Sequence, residues 1–160
     1  MEPAKFTSVE LRRALGSFAT GVTVVTTGGA TGLYGVTANS FTSVSLDPPL
    51  VLVCLGRKSP GRELIAGNGA FAVNVLTSDQ EELGRRFASK DRGSAMFAGV
   101  EHRRGATGAP ILGGASHLEC RLAGIHAAGD HVIVVGQVLE LAVDPGATPL
   151  LFHAGRFLAA

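Results

Sequence analysis

Between Gly35 and Cys54 the chain reads GVTANSFTSVSLDPPLVLVC, which sets Thr37, Asn39, Ser40, Thr42, Ser43, Ser45 and the Asp47 carboxylate beside an apolar run from Leu50 to Leu55. Hydroxyls and amides at that density are unfavourable beside a buried strand unless something polar takes their hydrogen bonds. Pro48-Pro49 stops any ladder before the apolar strand begins. Such a segment has the chemistry of a polar wall fixed onto a rigid sheet, as a cofactor cradle requires. The familiar nucleotide motifs are missing: no GxGxxG leads from a strand into a helix, and there is no GxxxxGKS/T. Any nucleotide cofactor is therefore held by another kind of cradle. Acyl transfer lacks its GxSxG elbow. His126 and His131 flank an Ala128-Gly129 turn and could face each other across a hairpin. Two imidazoles without a carboxylate or thiolate make a poor metal site, and no metal is expected. Cys54 and Cys120 form no CxxC pair, and each is expected as a free core thiol in a reducing cytosol rather than half of a disulfide.

Strands and short helices must position that wall. Thr7 and Glu10 have capping-box spacing, with Leu11, Ala14, Leu15 and Phe18 following on one helical face and Gly21 ending the helix. Val22 to Thr27 and Leu33 to Asn39 flank a glycine-rich turn and predict a hairpin. Ser59-Pro60 predicts an N-cap with proline in the first helical position, and Gly67 the end of that helix. Ala70 to Leu76 reads as a strand, and Ser78 with Glu81 as the cap of a helix running through Leu83 and Phe87. Lys90 to Ala115, glycine-rich with scattered charges, reads as a long surface loop. Leu118, Cys120 and Leu122 alternate with His117, Glu119 and Arg121 as in a half-buried strand, and Val132 to Val143 returns after the turn. Asp144-Pro145-Gly146 turns again, leaving Pro149 to Leu158 as a closing strand. The sum is mainly β with short helices: a mostly antiparallel β-barrel in a single domain over residues 1–160.

A chain of 160 residues can bury a real core, but only 17% of its residues are charged while 46% are apolar. That is more apolar surface than a small monomer easily hides, and a homo-oligomer is expected. A net charge of +1 gives no drive toward nucleic acid or an anionic membrane. The N-terminus lacks the apolar stretch of a signal peptide and no run is long enough to span a bilayer, so a cytoplasmic protein is expected.

Five stretches carry a resemblance: ALGSFATGVTVVTT, GVTANSFTSVSLDPPLVLVC, FAVNVL followed by RRF, GDHVIVVGQVLEL and PLLFHAGRF. In that order they resemble the short-chain flavin reductases, the NAD(P)H:flavin oxidoreductases of the FMN-binding split-barrel superfamily. The resemblance implies a Greek-key antiparallel split barrel that passes hydride from nicotinamide C4 to flavin N5. It places Thr37, Ala38, Asn39 and Ser40 near the isoalloxazine edge and ribityl chain, with Phe41, Ser43 and Ser45 adjoining. It sets the flavin phosphate near Gly56 to Pro60, where Lys58 and the Ser59 hydroxyl at a helix N-terminus suit an anion. Arg86 would add charge and Phe87 would stack on the ring system, while His153 and Phe157 of the last stretch would lie close to the flavin or the nicotinamide. His131, in Gly129-Asp130-His131, would meet the nicotinamide. The cofactor is then FMN or FAD with NADH or NADPH as co-substrate, the sites lie in a homodimer, and a separate monooxygenase takes the reduced flavin.

Three other readings compete with this one. One is a split-barrel protein that holds flavin without turning over NAD(P)H. Another is an oxidase of the pyridoxamine-phosphate type, which needs a dense arginine and lysine set that the chain lacks. A purely structural oligomerisation domain would leave the polar wall without a ligand.

Overall fold

The computed structural model describes residues 1–90, 93–114 and 116–159. Alternation along Pro49–Gly56 (β5) turns Val51, Val53 and Leu55 into the core and leaves Leu52, Cys54 and Gly56 half-buried on the opposite face. The same core receives Val25 from Thr23–Thr27 (β2), Tyr34 and Val36 from Tyr34–Ala38 (β3), and Phe71 and Val73 from Ala70–Val75 (β6). Cys120 of Ser116–Ala128 (β9) and Val132 and Val134 of His131–Ala142 (β10) complete it. Together with Thr42–Leu46 (β4) these strands form one antiparallel sheet in the order β3-β2-β6-β9-β10-β5-β4. Strands that all point side chains at one cluster must curl around it, and β3 at one edge returns against β5 near the other. The expected antiparallel split barrel forms. Phe71 crosses its interior so closely that a Cβ on Gly136 would strike the ring, and a register shift between Val135 and Gly136 bends β10 at that point.

A second cluster covers the other face of β2. Val22 and Val24 pack with Leu76, with Phe87 of Glu81–Ala88 (α3) and with Leu150 of Leu150–His153 (β11). Met96, Phe97 and Leu112 close it, the last from Pro110–Leu112 (β8), which pairs with His102–Arg104 (β7). β11 forms a three-stranded sheet between Thr20–Gly21 (β1) and Arg156–Ala159 (β12). Helices Ser8–Gly16 (α1) and Gly61–Asn68 (α2) and the 3₁₀ turns Ser78–Gln80 and Ser94–Phe97 are the other regular elements described, and no helix among the described residues is long and apolar enough to cross a membrane.

Several sequence expectations move. α1 has its Thr7–Glu10 capping box but stops at Gly16, and Gly21 belongs to β1. Its apolar face buries nothing: Leu15 is 64% exposed, and Phe18, two residues past the helix end, 78%. α2 starts at Gly61, one residue after Pro60, and ends at the left-handed Gly69 rather than at Gly67. The Ser78–Glu81 cap does not form: a Thr77–Gln80 capping box opens a 3₁₀ turn, Ser78–Gln80, and α3 follows it with no side-chain cap of its own. Of the supposed surface loop, Asp91, Arg92 and Ala115 lie outside the described residues. Part of the rest packs: Met96, Phe97, Ala109, Ile111 and Leu112 are buried, while residues 93–95 and 101–104 are exposed as expected of a surface segment. β9 keeps its expected inward face, but that packing also buries part of the opposite one: the 105–108 turn covers Glu119, whose carboxylate accepts the Thr107 N–H at 2.9 Å and its hydroxyl at 3.1 Å. His117 is buried beside it, while Leu118 and Leu122 are only partly buried. The closing strand is a hairpin, β11 and β12 around Ala154-Gly155. His126 stands opposite Ile133 and not His131. Both cysteines are free, and burial beside Glu119 pushes the Cys120 thiol up to about 12.

One amide holds the covering hairpin to the barrel. Asn74 is wholly buried; its Nδ2 donates to the Val24 carbonyl and the Thr26 hydroxyl, both at 3.1 Å, and its Oδ1 accepts the Leu112 N–H at 2.9 Å. Replacing Asn74 by alanine strands the buried groups left behind, so urea denaturation should show a loss of about 2–4 kcal/mol. A loss below about 1 kcal/mol would mean that this network is not what fastens the hairpin.

Candidate active site

β3 is a sheet edge, so alternate N–H and C=O groups along it have no ladder partner, and past Ala38 the chain crosses to β4 through Asn39, Ser40 and Phe41. Ser40 fixes that crossing on β5: its hydroxyl donates to the Cys54 carbonyl at 3.1 Å and accepts the Cys54 N–H at 3.0 Å. Thr37 donates its hydroxyl to the Gly84 carbonyl of α3 at 2.6 Å. Thr37, Ala38, Asn39 and Ser40 thus wall a cavity of about 370 Å³ whose far side is Cys54, Gly56, Ser59 and His131. It continues through Gly56, Ser59 and His131 into a wider mouth of about 1010 Å³ that adds Arg57, Lys58, Lys90 and Asp130. These volumes are in the range of ligand sites.

The mouth is held by the tip of the β9–β10 hairpin. His131 pairs with Gly56 across β10 and β5. Arg57 clamps the turn twice, its backbone N–H to the Asp130 carbonyl at 2.9 Å and its guanidinium to the Gly129 carbonyl at 3.1 Å. His131 Nδ1 lies 2.7 Å from Asp130 Oδ1, and that hydrogen bond holds the exposed Asp130 carboxyl below its ordinary value. With Nδ1 engaged, Nε2 is the nitrogen left for a ligand. A third, apolar cavity of about 670 Å³ adjoins at Asn39, Ser40 and Cys54 and is lined by Leu15, Phe18, Phe41 and Leu52 among others. Thr20 in its wall keeps a buried hydroxyl with no partner among the described residues.

A planar ring with donors and acceptors on its rim suits the unpaired edge of β3, and an anionic tail suits the Lys58 mouth. Flavin has both parts. Residues 15–160 match the family described as flavin reductase like domain. The chain belongs to that family. It is 45% identical over 153 residues to the NADH-dependent FAD reductase of Streptomyces globisporus, covering 93% of this chain and 84% of that one. It is 39% identical over 160 residues to the reductase subunit of a flavin-dependent monooxygenase of Mycobacterium tuberculosis, covering 98% and 82%. Among solved structures, the flavin reductase component of a bacterial two-component tryptophan halogenase superposes with a TM-score of 0.90 at 42% identity over 96% of this chain and 98% of that one. A Streptomyces globisporus NADH:FAD oxidoreductase in complex with NAD and FAD fragments gives 0.89, also at 42%, over 97% and 96%.

In this flavin reductase-like barrel, Thr37, Ala38, Asn39, Ser40, Lys58, Ser59 and His131 come together as the sequence suggests, and Phe41 lines the adjoining apolar cavity. Other expected residues do not join them. Ser43 and Ser45 lie along β4, outside these cavities, because the Ser40 crossing ends the wall before the strand begins. Phe87 is wholly buried against Phe97, ring centroids 5.2 Å apart, and packs under Gly35, so it cannot stack on a ligand. Arg86 points to the other side of α3 and donates to the Ala98 carbonyl at 2.8 Å. Phe157 packs on Phe152 beneath the Arg85 guanidinium, 5.0 Å from its ring, and would touch a side chain added at Gly84. It therefore stands behind the Gly84 carbonyl that takes the Thr37 hydroxyl, and half-buried His153 sits at the same hairpin's turn opposite Arg156. The sequence reading passed over Cys54, Asp130 and Lys90 as lining residues. The alternation of β5 signals Cys54, and Asp130 adjoins His131, but only the path of the chain after α3 brings Lys90 to the mouth.

Proposed function

We propose that this chain works as one domain and as an NAD(P)H:flavin oxidoreductase, reducing FMN or FAD for use by a partner enzyme. The observation that carries the reading is the continuity of the two cavities, a polar wall at Thr37–Ser40 opening into a basic mouth beside His131. When bound, flavin supplies an N5 that accepts hydride directly from nicotinamide C4, so the reaction needs no nucleophile from the protein. The chain's own residues position and orient. Thr37 to Ser40 hold the ring edge, Lys58 and the Ser59 hydroxyl hold the phosphate, and His131, fixed by Asp130, offers Nε2 to the nicotinamide at the open end. Relatives named for FAD and for FMN support either flavin, and those named as monooxygenase reductase subunits support a partner that takes the reduced flavin. A nicotinamide substrate and two free thiols suit the reducing cytoplasm.

With FMN or FAD supplied, the purified protein should oxidise NADH or NADPH, and anaerobic NADH should bleach the flavin band. Absence of flavin-stimulated oxidation with both nicotinamides would falsify the reading. His131→Ala should raise KM for the nicotinamide about 3- to 10-fold, the loss of one hydrogen bond, with flavin affinity nearly intact. Equal weakening of flavin would place His131 in the cradle instead.

We further propose a homodimer with the flavin sites at its interface. Leu15 and Phe18 beside the apolar cavity, and Leu46, 94% exposed on β4, form apolar surface that a second copy would cover. Sedimentation velocity at low micromolar concentration should show a dimer that flavin tightens. Tight flavin binding by a monomer would refute the shared site.

A further inference from the structure

We propose that Tyr34 is a positioning residue for the phosphate end of the flavin: its buried hydroxyl occupies the acceptor side of Ser59 and so makes Ser59 a donor aimed at an anion. The proposal rests on the reading of the Gly56–Pro60 loop as the phosphate seat. Tyr34 opens β3 and is wholly buried in the main core. Its hydroxyl lies 2.5 Å from Ser59 Oγ, and the same Oγ accepts the Gly61 N–H at 3.3 Å. A serine hydroxyl has two acceptor lone pairs and one proton. Either hydroxyl could donate at that distance, but the buried phenol has no other acceptor among the described residues, so its proton goes to Ser59 Oγ; with the Gly61 amide donating as well, the serine proton is the capacity left. Ser59 is on the wall shared by the two cavities, next to Lys58. Its hydroxyl therefore serves an acceptor where lysine supplies charge. A phosphate oxygen gains most from such a donor, and a neutral alcohol gains less.

The arrangement is held from both ends of α2. Gly61 has no side chain, and a Cβ there would run into the Tyr34 ring. At the other end, Asn68 Oδ1 accepts the Thr31 N–H at 3.0 Å and its hydroxyl at 2.7 Å, while Nδ2 donates to Thr27 Oγ1 at 3.1 Å. The β2–β3 hairpin thus carries both the ring wall and the loop that would seat the phosphate. Phosphate position relative to the ring is fixed by one rigid body.

FMN and riboflavin differ by the phosphate alone and are the probes. Tyr34→Phe removes one oxygen and should raise KM and Kd for FMN about 5- to 10-fold, while riboflavin constants and kcat stay within about twofold. Ser59→Ala should also weaken FMN selectively, and Y34F/S59A should bind FMN no more weakly than S59A, because both hydroxyls act through one atom. Additive losses overturn the proposal. If S59A leaves FMN binding intact, the phosphate-seat reading falls and takes the proposal with it. If S59A weakens FMN selectively and Y34F does not, the role of Tyr34 alone falls. Equal weakening of FMN and riboflavin by Y34F means that the phenol serves the fold, which also overturns it. A Y34F that fails to fold shows likewise that the phenol serves the fold, and overturns the assignment.

Discussion

Strand β2 has no solvent-facing side; all five of its residues are buried, three of them threonines whose hydroxyls must find partners inside. Each does so by gripping a different element. Thr23 donates to the Ala38 carbonyl at 2.7 Å, where β3 leaves the sheet for the cradle. Thr26 donates to the Pro110 carbonyl at 2.6 Å and so holds the β7–β8 hairpin. Thr27 donates to the Ala70 carbonyl at 2.6 Å while accepting from Asn68 at the end of α2. A valine has the shape of threonine but would leave three carbonyls without these donors. The strand is a hub because burial on both faces makes every one of its polar groups choose a partner.

The cradle inherits its rigidity from that hub, and the mouth does not. Thr37 and Ser40 spend their hydroxyls on Gly84 and Cys54, so they shape the wall, and the backbone groups of the β3 edge are what it offers a ring. At the mouth, Lys58 and Lys90 are exposed, and His131 stands at a hairpin tip secured by Arg57. A fixed ring seat beside a wetter opening suits a reaction in which one partner must be oriented and another must come and go.

The barrel and the polar wall were legible because they rest on local signals. The GVTANSFTS run, the Leu50–Leu55 alternation and the turn ahead of His131 each declare themselves within a few residues. What failed was long-range. Nothing local in Phe87 distinguishes a stacking ring from a core ring; the absence of a side chain at Gly35 lets it go inside. The polar face of β9 is buried at Glu119 because a hairpin more than ten residues upstream bends back to give its carboxylate hydrogen bonds. Ser43 and Ser45 belong to the same polar run as Ser40, yet the crossing at Ser40 carries them past the cavity. Tyr34 drew no notice because an aromatic at a strand start is ordinarily core, and its hydroxyl acquires meaning only when α2 folds over it.

Helix α1 poses the last question of the fold. It has nine residues, and a helix that short does not hold in water on propensity and a capping box alone. Yet it buries none of them against its own chain. In the proposed dimer the twin would seat the Leu11–Leu15 face, and the same contact would close the apolar cavity at Phe18. That cavity meets the cradle at Asn39, Ser40 and Cys54, the residues of the crossing clasp. In that dimer, association and flavin binding would share a wall, and the Ser40–Cys54 hydrogen bonds would couple dimer to ring seat with no moving part between them.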